Sequence, residues 1–334
     1  MKQNFLIEEV TPLFFDTNAL REPRQRLNRI YTPRGRYYYT IDENDQVTIY
    51  LGVTTMISKL VPKGEGLIKW LIETGLEQSK IYSSVRAAYG TLMHQLIAEF
   101  LINKTFDLDT IPERVDEVLN NKLSNVERPT VERSVWIEDL TSDILAFAQF
   151  CVDYKVKPIA IEIMLAHPDG YAGTIDLVCY LTIREKINPE KTWIASNTLY
   201  REILAGVDMK SGRKGFYDEH AIQLESYRHL IKNEWPDLEV EKIFNWSPKE
   251  WKTEPGYNLK DQSSSVDARK FELLVDLAKV ELLKVPGAFL VPKGRIEFGV
   301  EFSQSDVLEK VNIVDFIVNF HRNKSKEQYG LPEH

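Results

Sequence analysis

Ala205-Gly206-Val207-Asp208-Met209-Lys210-Ser211-Gly212 closes an apolar run, EILAGVDMK over 202–210, that reads as a β-strand. Successive strand side chains face opposite ways, so Asp208 and Lys210 share one face while Val207 and Met209 take the other. A charged pair on one face of an apolar strand is costly unless both charges find partners. Upstream, IAIEIML (159–165) and YAGTIDLVCYLTI (171–183) are strands joined by the turn Pro168-Asp169-Gly170, a hairpin. Each carries a carboxylate, Glu162 and Asp176, where an apolar residue is expected. Downstream, a helix fits 217–233, Pro236 lies beyond its end, and VEKIFNW (240–246) is a further strand. Three strands, a helix and a strand make an α/β core with a mixed sheet.

Further out, helical periodicity marks about 67–80, 84–103, 112–124 and 133–155, a helical decoration ahead of the core strands. RYYYTIDENDQVTIYL reads as a β-hairpin turning at Glu43-Asn44-Asp45. Residues 247–265, with Pro248, Pro255 and Gly256, read as loop; 265–284 is a helix, and 296–323 mixes a strand with a short helix. The division is an N-terminal arm and hairpin, 1–50, and a main domain, 51–334. The main domain has a helical N-terminal part (about 67–155) and a C-terminal extension (about 265–334).

With 334 residues, 43% of them hydrophobic, the chain can bury a large core. A net charge of −8 argues against a protein that coats nucleic acid through overall charge. It is compatible with an acidic site beside a local basic track. No run of about 18 apolar residues occurs, so no membrane span is expected. MKQNFLIEEVTPLFF is a poor signal peptide, and the expected location is the cytoplasm. Cys151 and Cys179 read as free thiols of a reducing compartment.

Phosphodiester hydrolysis needs this kind of residue set. Hard oxygen ligands hold Mg²⁺, with Mn²⁺ as a substitute, and a neighbouring lysine orients water or offsets transition-state charge. The Met209 carbonyl, between Asp208 and Lys210, is a further oxygen. In YGTLMHQLIAEFL, His94 falls at the rim of an apolar stripe through 85, 88, 92, 96, 97, 100 and 101. In HAIQLESYRHL, Gln223 and Tyr227 share a helix face that is otherwise apolar. Each feature alone has an ordinary reading: a surface ion pair, a structural histidine, a packing hydrogen bond. Their joint occurrence in this order does not. Near the N-terminus, LREPRQRLNRIYTPRGRYYY interleaves Arg21, Arg24, Arg26, Arg29, Arg34 and Arg36 with Tyr31 and Tyr37–Tyr39. This is a composition that neutralises phosphates and stacks on bases, or one that pairs with the chain's own carboxylates. Arg213 and Lys214, just past the Asp-Met-Lys stretch, join the nucleic-acid-binding candidates.

These residues resemble the PD-(D/E)XK nuclease superfamily, within it the RecB-like exonuclease branch, found in phage, bacteria and mitochondrial genome maintenance exonucleases. That branch shows GxxxH on a helix, then GxxD, DxK and QxxxY. Here they are Gly90–His94, Gly173–Asp176, Asp208-Met209-Lys210 and Gln223–Tyr227, a likeness covering about 50 to 250. The resemblance implies a restriction-endonuclease-like core and a metal-dependent DNA exonuclease acting in replication, recombination or repair. Asp176 and Asp208 are then metal ligands, Lys210 is catalytic, and His94 is a ligand or supports one. Gln223 and Tyr227 orient the site or contact DNA, and Glu162 matches a less fixed acidic position. Free single-stranded ends are the expected substrate, with a helicase or recombinase as a candidate partner. Asp176 and Asp208 are 32 residues apart (208 − 176), longer than the branch's usual hairpin. Members with an iron–sulfur cluster use four cysteines, so no cluster is expected here. The alternatives are a noncatalytic DNA-binding or scaffolding domain of the same fold and a structure-specific or restriction-type endonuclease.

Overall fold

The computed structural model describes residues 6–8, 20–32, 34–186, 198–212, 215–266, 268–281, 289–292 and 308–329. Strands β1 (Leu6–Glu8), β2 (Asn28–Thr32), β3 (Gly35–Ile41) and β4 (Val47–Gly52) form an antiparallel meander. Helices α1 (Val53–Leu60), α2 (Glu65–Thr74), α3 (Leu76–Asn103), α4 (Ile111–Asn121) and α5 (Arg133–Tyr154) follow. Then come β5 (Lys157–His167), β6 (Tyr171–Lys186), β7 (Thr198–Met209), α6 (Asp218–Glu234), β8 (Lys242–Pro248), β9 (Tyr257–Asp261) and α7 (Ala268–Glu281). A small ribbon of β10 (Phe289–Pro292) and β11 (Leu308–Val311) precedes α8 (Ile313–Tyr329).

β1 to β9 make one mixed sheet with helices on both faces. β6 is its centre. One edge of β6 pairs antiparallel with β5. The other edge is shared: β4 runs parallel at Tyr171 and Ala172, and β7 runs antiparallel from Leu177 onward. The C-terminal ends of β4 and β7 therefore point at each other along one edge of β6, across Gly173–Asp176. β7 parts from β6 after Val207 and continues beside β8, in parallel register from Ala205–Lys242 to Met209–Trp246.

One core lies between the sheet and α1, α6, α7 and α8, with Met56, Ile222, Leu224, Ile231, Phe271 and Ile317 buried in it. The other lies under α3, α4 and α5, with Leu92, Met93, Leu96, Val115, Phe147 and Trp246. Each such side chain contributes about 1.5–3 kcal/mol of burial. The N-terminal strands join the first core through Ile30, Tyr37, Tyr39 and Leu51. Among the described residues, no helix is long and apolar enough to cross a membrane.

Strand alternation inverts in the middle of the sheet. Ile163, Leu165, Tyr171 and Ile175 pack on the α6 side, while Ile161, Leu177, Cys179 and Leu181 pack under α3 and α5. The inversion falls at Glu162 and Asp176, which lie opposite each other between the pairs Ile161–Leu177 and Ile163–Ile175. Glu162 has φ 47, a left-handed backbone that costs a residue with a Cβ about 1–2 kcal/mol. Periodicity puts Ile175 and Leu177 on one face; in the fold they lie on opposite faces, and both carboxylates turn toward one place.

Some expectations need correction. The periodic stretch 67–80 is not one helix: Gly75, with φ 80, ends α2, and α3 then runs unbroken from Leu76 to Asn103. Val53-Thr54-Thr55 lacks helical character by propensity, yet α1 forms because Val53, Thr55, Met56 and Ile57 are buried. The stretch 247–265 holds an edge strand, β9, whose Tyr257–Asp261 pairs with β8. The long separation of Asp176 and Asp208 is an extended ladder, Leu177–Val207 through Lys186–Thr198. The intervening 187–197, and 296–307 at the start of the C-terminal stretch, lie outside the described residues. The C-terminal helix is longer than expected, Ile313–Tyr329.

Candidate metal and nucleic-acid site

The shared edge of β6 is where the chemistry-bearing side chains meet. Asp176 is buried, and its Oδ2 accepts the Met209 amide at 2.6 Å, a bond standing where the ladder has opened. Asp208 and Lys210 emerge on the α6 side. Lys210 Nζ donates to Asp208 at 2.8 Å and to Gln223 Oε1 at 3.1 Å, and Gln223 Nε2 donates to Tyr227 Oη at 2.5 Å. Gln223 therefore stands in α6's apolar face because it bridges the lysine to Tyr227. Gly173 is needed for that approach, since a Cβ there meets Tyr227 Cε1 at 2.9 Å.

From the opposite layer, α3 reaches the same place. A Cβ at Gly90 comes within 3.2 Å of Ser211 Oγ, so α3 crosses close over the end of β7. One turn further, His94 sets Nε2 3.1 Å from the Met209 carbonyl oxygen, and Nδ1 3.1 Å from Glu162 Oε1 and 3.6 Å from Asp176 Oδ1. Ligand atoms of His94, Glu162 and Asp176 all lie within 4.8 Å of one another. Burial alone depresses the His94 pKa, but Asp176 and Glu162 overcome it and hold it raised to about 9. Burial also raises Asp176, helped by Asp208 and Glu162 and opposed by His94 and Lys210. With both ring nitrogens protonated, His94 donates to the Met209 carbonyl and to Glu162, acting as counter-charge to the acids.

Residues around this network that escaped the sequence reading are Asn245, Gln262, Thr174 and His220. Asn245 sits beside Asp208 in the β7–β8 register, fully buried, and donates to Asp208 Oδ2 at 2.7 Å. Gln262, also buried, donates to Asn245 Oδ1 at 2.9 Å. An asparagine inside the apolar strand KIFNW was the available signal for the first; Gln262 follows the edge strand and carried none. Tyr38 Oη and Thr174 Oγ1 lie 2.9 Å apart above the gap in the sheet. His220, one turn before Gln223, is pushed down to about 4 by burial and by Lys210.

His94, Glu162, Asp176, Asp208, Lys210, Gln223 and Tyr227 line a cleft of about 890 Å³. Arg29, Tyr31 and Arg36 form the wall on β2 and β3, and Arg86, Gln95, Arg114 and Lys122 the wall on α3 and α4. The arginine-rich arm thus divides. Arg29 and Arg36 enter the cleft, their guanidinium carbons 5.7 and 5.2 Å from the Tyr31 ring centroid. Arg21, Arg24, Arg26 and Arg34 are not brought to it. Arg21 forms a forked pair with Asp237 at 2.7 Å, the Arg24 amide donates to Glu234, and Arg26 pairs with Glu22 at 3.3 Å. The acidic end of α6 and the loop after it hold that part of the arm. Arg34 is exposed at the β2–β3 turn. Tyr37, Tyr38 and Tyr39 are not open rings for base stacking: all three are buried in the sheet layers. Arg213 and Lys214 lie outside the described residues.

No protein-family model matches the chain, and no curated protein matches it.

Proposed function

We propose that this chain is a Mg²⁺-dependent nuclease with a PD-(D/E)XK-type core, hydrolysing DNA phosphodiester bonds from free single-stranded ends. The observation that carries the proposal is the convergence of Glu162, Asp176, Asp208, the Met209 carbonyl and Lys210 where β6 and β7 part, inside a cleft whose walls carry Arg29, Arg36, Arg86 and Lys122, with Arg114 paired to Glu99. The donor set fits the ion: carboxylate and carbonyl oxygens are what Mg²⁺ and Mn²⁺ select, and a divalent ion can take the place of the His94 proton as counter-charge to the acids. Glu162, Asp176 and the Met209 carbonyl would hold it, with Asp208 beside them and His94 yielding its proton. When bound, the ion offsets the charge that builds on the phosphate and acidifies water.

The protein's own groups do the rest. Lys210 has three ammonium protons, and Asp208 and Gln223 engage two, leaving one for water or a phosphate oxygen. Asn245 and the Asp208–Lys210 pair fix each other's rotamers, so the ammonium is held before substrate arrives. The close crossing of α3 over β7 narrows the approach. A single strand passes more readily than a duplex, which must first open at ~1.4 kcal/mol per base-pair step.

The test is degradation of end-labelled single- and double-stranded DNA by the wild type and Lys210→Ala, with Mg²⁺, Mn²⁺, Ca²⁺ or excess chelator. Cleavage is expected with Mg²⁺ and Mn²⁺ only, and Lys210→Ala should bind DNA without cutting it. Undiminished cleavage in chelator, or turnover by Lys210→Ala with binding lost, refutes the assignment.

A further inference from the structure

The cleft contains a cation that the acidic cluster does not neutralise. Arg36 enters from β3 opposite Tyr31 of β2, and Arg29 stands opposite Tyr38 in the same register, so the cleft-facing side of these strands alternates arginine and tyrosine. The Arg36 Nε is buried and has no hydrogen-bond partner. Its guanidinium lies over the Tyr31 ring at 5.2 Å, and among the described residues no carboxylate pairs with it. Burial works against its charge, but Tyr38, which it hydrogen-bonds, with Tyr31 and Tyr227, outweighs that and keeps it protonated, and Tyr227 is the end of the Lys210–Gln223–Tyr227 chain. Tyr38 in turn touches Thr174, two residues from Asp176.

The Arg36 guanidinium is thus held charged among tyrosines, with its Nε unpartnered and no carboxylate of the described residues taking its charge. Its planar fork suits the oxygens of a phosphate better than any point charge. The acids nearby take a cation; this wall takes an anion.

We propose that Arg36, stacked on Tyr31, is the seat of one substrate phosphate other than the scissile one, and that it sets where on the strand the cut falls. This deepens the nuclease reading and rests on it for the word substrate, but the seat itself needs no metal and no turnover. The phosphate has two sources: a monoester at a strand end, or an internal diester.

The experiment measures fluorescence-anisotropy binding of short single strands bearing a 5′-phosphate, a 3′-phosphate or neither. It uses excess chelator and compares the wild type with Arg36→Met and Arg36→Lys. Thermal unfolding of each protein without DNA is recorded alongside. Arg36→Met should weaken binding about ten-fold, the loss of a charge-assisted hydrogen bond, and should leave the unfolding temperature nearly unchanged. Arg36→Lys should recover part of the binding. If the seat takes a terminal monoester, the wild type prefers one phosphorylated end and Arg36→Met loses the preference. If it takes an internal diester, all three strands weaken alike. Binding unchanged in Arg36→Met, or binding and unfolding temperature falling together as for a structural arginine, overturns the proposal. A wild type that cuts nothing in Mg²⁺ yet shows the Arg36 dependence in chelator removes the nuclease reading and leaves the seat.

Discussion

Raising the pH from 6.5 to 9 in the absence of metal should destabilise the protein through His94. The imidazolium is held by Glu162, Asp176 and the Met209 carbonyl, and its folded pKa is raised from 6.5 to about 9. A group whose folded pKa lies above its unfolded value stabilises fully below the unfolded pKa, and that stability is lost as pH rises through the folded one. The gap between 6.5 and about 9, at ~1.36 kcal/mol per unit, corresponds to about 3 kcal/mol. Asp176 acts in the same direction at lower pH, because its carboxyl is also raised. His167 and His220 are lowered, so their effects fall below pH 6.5 and leave the window clear. Urea denaturation in chelator at pH 6.5 and pH 9 measures the difference, with His94→Gln as the variant that cannot carry the proton. The wild type should lose about 3 kcal/mol between the two pH values, and His94→Gln should lose little. With excess Mg²⁺ the trend should reverse, since the ion competes with the proton for the same carboxylates and is favoured as pH rises. An unchanged wild-type stability across the window, or an equal loss in His94→Gln, refutes the counter-charge role.

Asn245→Leu removes the donor that holds Asp208 Oδ2 and leaves Gln262 without its acceptor. It should cost about 1–3 kcal/mol in urea denaturation and weaken Mn²⁺ binding measured by calorimetry; intact metal affinity would detach Asn245 from the site. Gly173→Ala drives a Cβ against Tyr227 Cε1 and Leu230, so α6 must move away from Lys210. The expected loss is about 1–3 kcal/mol of stability, together with most of the cleavage rate, and normal cleavage by the variant contradicts the close fit. Covalently closed single-stranded DNA should resist digestion that consumes the linear form of the same sequence. Equal rates on the two show that no free end is needed.

Much of the site was legible because polar residues in apolar periodicity are conspicuous. Asp176, Asp208 and Glu162 interrupt strands, and Gln223 interrupts a helix face, so each announced a need for a partner. The pairing of Gly90 and Gly173 with neighbouring side chains was not legible, because a glycine in a helix or strand says only that something is close. The arm misled for a physical reason. Its composition is uniform, but partner choice depends on where α6's acidic end lies, and that is fixed by tertiary packing. Strand alternation failed at Glu162 and Asp176, where the faces reverse and Glu162 takes a left-handed backbone. Propensity could not foresee that reversal, because glutamate rarely adopts it.

The long β6–β7 ladder has a practical consequence. Ten registered pairs run from Leu177–Val207 to Lys186–Thr198, which at ~3.4 Å per residue carries the far pair roughly 30 Å from the carboxylates. A change made out there travels down a stiff ribbon whose near end is clamped between β5 and β8. The outer ribbon is therefore a handle: a dye, an affinity tag or a second folded module fused beyond Lys186 reports on the molecule, or tethers it, without entering the chemistry.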